Sequence, residues 1–119
     1  MSKTIALNPI GRVACHGDES AIEVMPEFAD ALEGVEDQEY LWVLFWMHQL
    51  SPENRRRLRT HPMGDRSRTR RGVFALHSPC RPNPIGMTRV RLLSRGGNRL
   101  TVADLDALDG SPVLDIKSG

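Results

Sequence analysis

An all-β barrel or rolled sheet is the fold class that this 119-residue sequence predicts. Three observations point to it. The apolar segments are short and several alternate with period two, turn-forming Gly, Pro, Asn and Asp separate them at close intervals, and one segment alone has helical spacing. A parallel α/β sheet needs a helix in nearly every crossover, so this shortage of helices excludes it. The length suits a single domain over residues 1–119, and 39% hydrophobic with 26% charged residues is the composition of a soluble globular chain.

Residues 5–13 read as a strand, with Pro9 and Gly11 marking a bend, and residues 21–24 alternate as a second. Pro26 suits the first turn of a short helix through Leu32, which carries Phe28, Ala29 and Leu32 on one stripe and stops at Gly34. Residues 40–50, Tyr-Leu-Trp-Val-Leu-Phe-Trp-Met-His-Gln-Leu, are the strongest apolar run and predict a strand buried on both faces, the spine of the sheet. Ser51-Pro52-Glu53-Asn54 opens a helical turn before Arg55 to Arg59, and residues 60–71, almost without apolar side chains, predict a functional or mobile loop.

Residues 72–76 follow as a strand, then a proline-rich turn through Gly86, and residues 87–95 as another strand. Period-two alternation places Arg89, Arg91 and Arg95 on one face of it, with Val90 and Leu92 on the other. Gly96-Gly97-Asn98 is a hairpin signal that returns the chain along residues 100–105, and residues 113–116 form the last strand.

No apolar run approaches the roughly 20 residues of a membrane span, and the N-terminus lacks the apolar core of a signal peptide, so the expectation is a cytoplasmic protein with no membrane partner. Cys15 and Cys80 are too few for a disulfide framework and are expected as ordinary buried thiols. The formal charge of +1 conceals a strong asymmetry. Residues 1–53 carry ten acids against Lys3 and Arg12, a net of −8; residues 54–99 carry thirteen arginines against Asp65, a net of +12; residues 100–119 have a net of −3. Arginine's planar fork grips phosphate and stacks on bases, so Arg55, Arg56, Arg57, Arg59, Arg66, Arg68, Arg70 and Arg71, with Arg89 and Arg91, are the candidate nucleic-acid face. The competing reading is a solvated face, or partners for the acids of residues 18–39.

Pro79, Pro82 and Pro84 cannot donate ladder hydrogen bonds, so residues 79–84 predict a rigid loop presenting Arg81 and Asn83, either a binding site or a corner between strands. Asp104, Asp106, Asp109 and Asp115 do not have the spacing of a calcium loop, and Asp109-Gly110-Ser111-Pro112 is a turn signature. Asp106 and Asp115 stand beside apolar residues at strand ends, where a carboxylate could neutralise a cation or accept a proton. His48 is either a core histidine or a catalytic one. Cys15-His16 with His77 and Cys80 does not follow common zinc-finger spacing, and no metal is expected.

Taken in order, Asn8-Pro9-Ile10-Gly11-Arg12-Val13, Ala21-Ile22-Glu23-Val24, the aromatic run, Gly72-Val73-Phe74-Ala75, Arg81-Pro82-Asn83-Pro84-Ile85-Gly86 and Leu108-Asp109-Gly110-Ser111-Pro112-Val113-Leu114-Asp115-Ile116-Lys117 resemble the TsaA-like, or TrmO-like, family across essentially the whole chain. That resemblance implies a small single-sheeted antiparallel β-barrel, usually a homodimer, that binds S-adenosylmethionine. Characterised members of the family methylate N6 of threonylcarbamoyladenosine beside the tRNA anticodon. The resemblance places Met47, His48, Arg81, Pro82, Asn83, Ile85 and Gly86 around the cofactor, completed by Asp106, Asp115 and Lys117, with Asp106, Asp115 and His48 as the catalytic candidates. His77 stands where the family commonly has arginine and joins the cofactor set. Residues 14–20 replace a longer insert, and Ser118-Gly119 replace Pro-Tyr after Asp115-Ile116-Lys117. A small-molecule acceptor, or a barrel that binds without turnover, are the alternatives to tRNA methylation.

Overall fold

The computed structural model describes residues 3–119. Six antiparallel strands close into a barrel in the order β1-β2-β7-β6-β3-β8. Along the chain these are β1 (Gly11–His16), β2 (Glu19–Val24), β3 (Tyr40–Trp46), β6 (Ile85–Gly96), β7 (Arg99–Ala103) and β8 (Pro112–Ser118). Between β3 and β6 lie one turn of helix, α1 (Pro52–Arg55), and a separate two-stranded ladder of β4 (Arg59–Thr60) with β5 (Arg71–Gly72). Alternation fills the barrel: Val13, Ile22, Val24, Leu41, Val43, Phe45, Val90, Leu100, Val102 and Val113 are buried in one cluster.

β3 has one core face rather than two. Leu41, Val43 and Phe45 are buried, whereas Tyr40, Trp42, Leu44 and Trp46 are half-buried on the outside. Two of the outer aromatics are covered by arginine, with the Arg89 guanidinium 4.1 Å from the centre of the Tyr40 ring and that of Arg55 5.3 Å from Trp46. β3 also ends at Trp46 instead of Leu50, because the Met47 amide donates to the Pro84 carbonyl (2.8 Å) and residues 48–49 turn away.

Barrel closure rests on a narrow seam. β1 pairs with β8 only as Gly11 with Val113 and Arg12 with Pro112. Flanking bonds extend the seam: the Ile10 amide donates to Val113 (2.7 Å), Val13 to Ser111 (2.9 Å) and Gly110 to Val13 (2.7 Å). Gly11 is required here, since a Cβ would fall 2.3 Å from the Glu23 carbonyl oxygen. Residues 5–10, expected as the first part of a strand, lie outside the sheet, and pairing begins only beyond Pro9, which has no N–H to contribute. Pro112 opens β8, where no donor is needed.

The short helix expected from Pro26 to Leu32 is present and is 3₁₀, starting with the Phe28 amide on the Met25 carbonyl (2.9 Å) and laying Phe28 and Leu32 against one end of the barrel. Two further expectations are corrected. Residues 72–76 are not a strand: β5 stops at Gly72 and a 3₁₀ turn, Val73–Ala75, buries Val73. Arg95 does not share the face of Arg89 and Arg91, because a register shift between Leu92 and Ser94 sets Arg95 opposite the buried Leu100. There its guanidinium donates to the Leu32 carbonyl (3.0 Å) and the Glu36 carboxylate (2.6 Å), so the bulge ties the 3₁₀ helix to the barrel.

Gly11→Ala is expected to destabilise the protein by about 2 kcal/mol or more, read as a lower urea midpoint, because the clash is with backbone that cannot move without opening the β1–β2 ladder. The Arg95 hydrogen bond holds the Glu36 carboxyl below its usual value. A lowered folded-state pKa stabilises above the unfolded value and is lost as pH falls through the folded one. The stability gap between the parent and Glu36→Gln is therefore expected to be full at neutral pH and to close below the ordinary carboxylate range; a gap that persists in acid would show that the pair contributes nothing through ionisation.

Candidate functional site

A cleft of about 850 Å³ opens at the end of the barrel where β3 finishes and β6 begins. Leu44, Phe45 and Met47 form one wall, Ile85, Gly86 and Met87 the next, and Phe74, Leu76, His77 and Arg81 from the segment ahead of β6 face them. The β7–β8 connection closes the cleft with Asp106, Ala107, Leu108 and Ser111. Apolar walls with a few converging polar groups, at this volume, are the usual character of a small-molecule site.

Each wall has a local cause. Gly86 lets the Phe45 ring lie against β6, since a Cβ there would sit about 2.4 Å from the ring. Arg81 shapes the facing segment: Nε donates to the Ser78 carbonyl (2.6 Å) and Nη2 to those of Val73 (2.7 Å) and Leu76 (2.5 Å). Three of its five N–H groups thus order backbone rather than greet a ligand. Behind the cleft Arg55 donates through Nε (3.2 Å) and Nη2 (3.1 Å) to the Pro82 carbonyl, joining α1 to the proline loop. The β7–β8 connection is pinned to β1, with the Cys15 amide on the Asp109 carboxylate (2.9 Å) and the Ser111 hydroxyl on the Leu108 carbonyl (2.6 Å).

Of the residues singled out from the sequence, Met47, His77, Arg81, Ile85, Gly86 and Asp106 meet in this cleft. Pro82 lies behind it against Pro52 and Arg55. Asn83 is exposed, and its carbonyl closes a tight turn with the Ile85 amide (2.7 Å). His48 is in an exposed turn and is not a lining residue; its neighbour Gln49 is. Asp115 and Lys117 edge a different cavity, about 320 Å³, at the other end of β3 beside Leu41, Phe28 and Leu32. There the Asp115 carboxylate accepts from the Ile116 amide (2.9 Å) and pairs with the Lys117 ammonium (3.2 Å). Sequence reasoning passed over Gln49, Phe74 and Ser111. Phe74, 83% exposed, was hidden by the strand expected there, and Ser111 by its turn signature.

The arginines divide by environment. Arg56, Arg57, Arg59, Arg66, Arg68, Arg70 and Arg71 around the β4–β5 ladder are exposed, as are Arg89 and Arg91, whereas Arg55 is half-buried in its clamp. Among the described residues Arg95 is the one arginine of the basic segment that pairs with an acid from residues 18–39; Arg68 pairs locally with Asp65 (3.8 Å). Neither thiol is buried in the way expected: Cys15 is exposed and Cys80 half-buried, both unbridged. Among the described residues no group of three or more His, Cys, Asp or Glu is placed to hold a metal ion, and no helix is long and apolar enough to cross a membrane.

Residues 4–118 match the tRNA-methyltransferase O N-terminal domain. The chain belongs to the TrmO family. An S-adenosyl-L-methionine-binding protein of Archaeoglobus fulgidus is 48% identical over 98 residues, covering 82% of this chain and 67% of that protein. A Methanocaldococcus jannaschii relative named "Probable S-adenosyl-L-methionine-binding protein" is 37% identical over 112 residues, 93% of this chain and 89% of its own. The crystal structure of TrmO from Pseudomonas aeruginosa superposes with a TM-score of 0.77 at 34% identity, over 98% of this chain but 56% of that one. This TrmO-family chain thus spans little more than half the length of the solved enzyme.

Arg81→Lys is expected to lower stability by about 1.5–3 kcal/mol, because an ammonium cannot reproduce a planar fork on three carbonyls. Limited proteolysis should then cut within residues 73–80 faster than in the parent. Unchanged cleavage would show that the segment holds itself.

Proposed function

We propose that this chain is an S-adenosylmethionine-dependent methyltransferase domain whose acceptor is N6 of threonylcarbamoyladenosine in tRNA. The carrying observation is the cleft itself, which sets the carboxylate of Asp106 and the ring of His77 among apolar walls. Those residues fit the cofactor's chemistry: Asp106 offers a carboxylate to its cationic centres, His77 a ring N–H to its carboxylate, and Phe74 an aromatic face to a purine. Gln49 and Ser111 add neutral polar groups. When bound, S-adenosylmethionine supplies an electrophilic methyl group.

The protein's own part is to bind, orient and take up a proton. Methylation of an N–H releases that proton, and Asp106 is the carboxylate in the cleft, so it is the base of choice over His48 and Asp115, which lie outside it. The apolar walls exclude water from the acceptor nitrogen. The exposed arginines of the β4–β5 region supply phosphate contacts for tRNA. Phe74 and Leu108, exposed apolar residues at the rim, support a homodimer that covers the cleft, working in the cytoplasm where tRNA is. A second reading, a barrel that binds the cofactor without methylating tRNA, draws on the relatives named for binding alone.

Calorimetry with S-adenosylmethionine should give a saturable heat that Asp106→Asn weakens about tenfold or more. No heat and no thermal stabilisation at saturating cofactor would remove the cleft from consideration. Affinity for tRNA should fall steeply with salt, and replacing Arg56 and Arg57 with Ala should make that slope shallower by about two, one for each lost phosphate contact. Mass analysis of tRNA nucleosides after incubation then separates the two readings: a gain of one methyl on threonylcarbamoyladenosine supports methylation, and cofactor binding with unmodified tRNA supports binding alone.

A further inference from the structure

The outer face of β3 is unlike the rest of the barrel surface. Tyr40, Trp42 and Leu44 alternate with the buried Leu41, Val43 and Phe45 and so point away from the core. Residues directly opposite in an antiparallel pair share a face. Tyr40 stands opposite Arg91; Trp42 stands between Arg89 of β6 and Lys117 of β8; Leu44 stands between Met87 and Asp115. Arg89, Arg91 and Lys117 are exposed. Two aromatic rings are therefore flanked by three cations in adjoining rows, and Asp115, already paired with Lys117 at 3.2 Å, is the acid at the lower end. The next residues down the face, Leu44 and Met87, line the cleft.

We infer that this face is a stacking platform for a single-stranded segment of RNA, guiding it along β3 to the cleft. The inference rests on the tRNA reading above and names the surface that reading lacks. A cationic groove with aromatic rings is what single-stranded nucleic acid needs, because every base has a face to stack and every phosphate a charge to neutralise. Arg89 already stacks on Tyr40 at 4.1 Å and donates to the Gly119 carbonyl at 3.0 Å, which fixes it beside Trp42. From Tyr40 to Leu44 the strand rises about 13 Å, the length of about four nucleotide steps. Charge selects RNA over a second copy of this chain. A two-fold contact through Trp42 would bring Arg89, Arg91 and Lys117 of both copies together, and like charges at an interface oppose association.

The test uses the whole chain and a fluorescein-labelled 12-nucleotide single-stranded RNA, with anisotropy read across a salt series. Trp42→Leu is expected to weaken binding about tenfold with the salt slope unchanged, and Trp42→Tyr, which keeps a ring, to retain most of the affinity. Arg91→Ser and Lys117→Ser should each make the slope shallower by about one. Cofactor affinity by calorimetry should be unchanged in both Trp42 variants and in Arg91→Ser, since neither residue lines the cleft. If Trp42→Leu fails to bind cofactor and so has not folded, the Trp42→Tyr result and the two slopes decide. RNA binding by Trp42→Leu equal to the parent overturns the platform, and so does a halved molar mass with RNA affinity intact, which would mark a subunit contact. If the parent binds RNA, and loses it on replacing Arg56 and Arg57 but not Trp42, the platform alone fails. A parent that binds cofactor and no RNA sinks the tRNA reading and the platform together.

Discussion

Phe45 reaches the backbone of β6 only because Gly86 has no side chain, and much of the molecule depends on that approach. β3 and β6 run side by side for seven residue pairs, from Tyr40 with Arg91 to Trp46 with Ile85, and the contact falls near the end of that ladder. On the inside it lets the cleft begin immediately above the packed core. On the outside it keeps β3 flat against β6, so that the aromatic and cationic rows stay in register. Beyond it the chain leaves the sheet at Met47, and everything from α1 to the proline loop is suspended between the two strand ends.

That suspended region has no apolar core of its own, and arginine takes the place of one. Arg55 and Arg81 turn their forks onto backbone carbonyls, each bridging parts of the chain that have few buried contacts. Arg95 does the same for the 3₁₀ helix below the barrel. The remaining arginines of the basic segment stay in solvent. One residue type therefore does two kinds of work, and the division broadly follows burial: half-buried guanidiniums order the chain, whereas the exposed ones stand in solvent, with Arg68 beside Asp65 and Arg89 on the Tyr40 ring.

Much of this was legible in the sequence. The closed barrel follows from short alternating strands, and the hairpin at Gly96-Gly97-Asn98 joins β6 to β7 as its residues suggest. Period and turn chemistry are local, so they survive without tertiary knowledge. What failed depended on distant partners. β3 looked buried on both faces because its outer aromatics are apolar, and only Arg55 and Arg89 reveal how they are covered. The bulge after Leu92 reversed the side of Arg95, an event that no alternation pattern announces. In the site, the residues from 77 to 86 were legible as one segment, whereas Asp115 and Lys117 edge the smaller cavity beside Leu41, although Asp115 is paired with the cleft residue Leu44. Arg81 was legible as important, but its work on three carbonyls was not.

The β1–β8 seam joins residues about a hundred positions apart through two paired positions. Local hairpins such as β1–β2 and β6–β7 can form as soon as their residues exist, but the seam must wait for the last strand and pays the largest loop entropy of any ladder in the barrel. The cleft's own wall at Ala107, Leu108 and Ser111 is held by that seam. The wall of the cleft therefore cannot be complete before β8 is in place, so the ligand site takes shape later than the local hairpins of the same barrel.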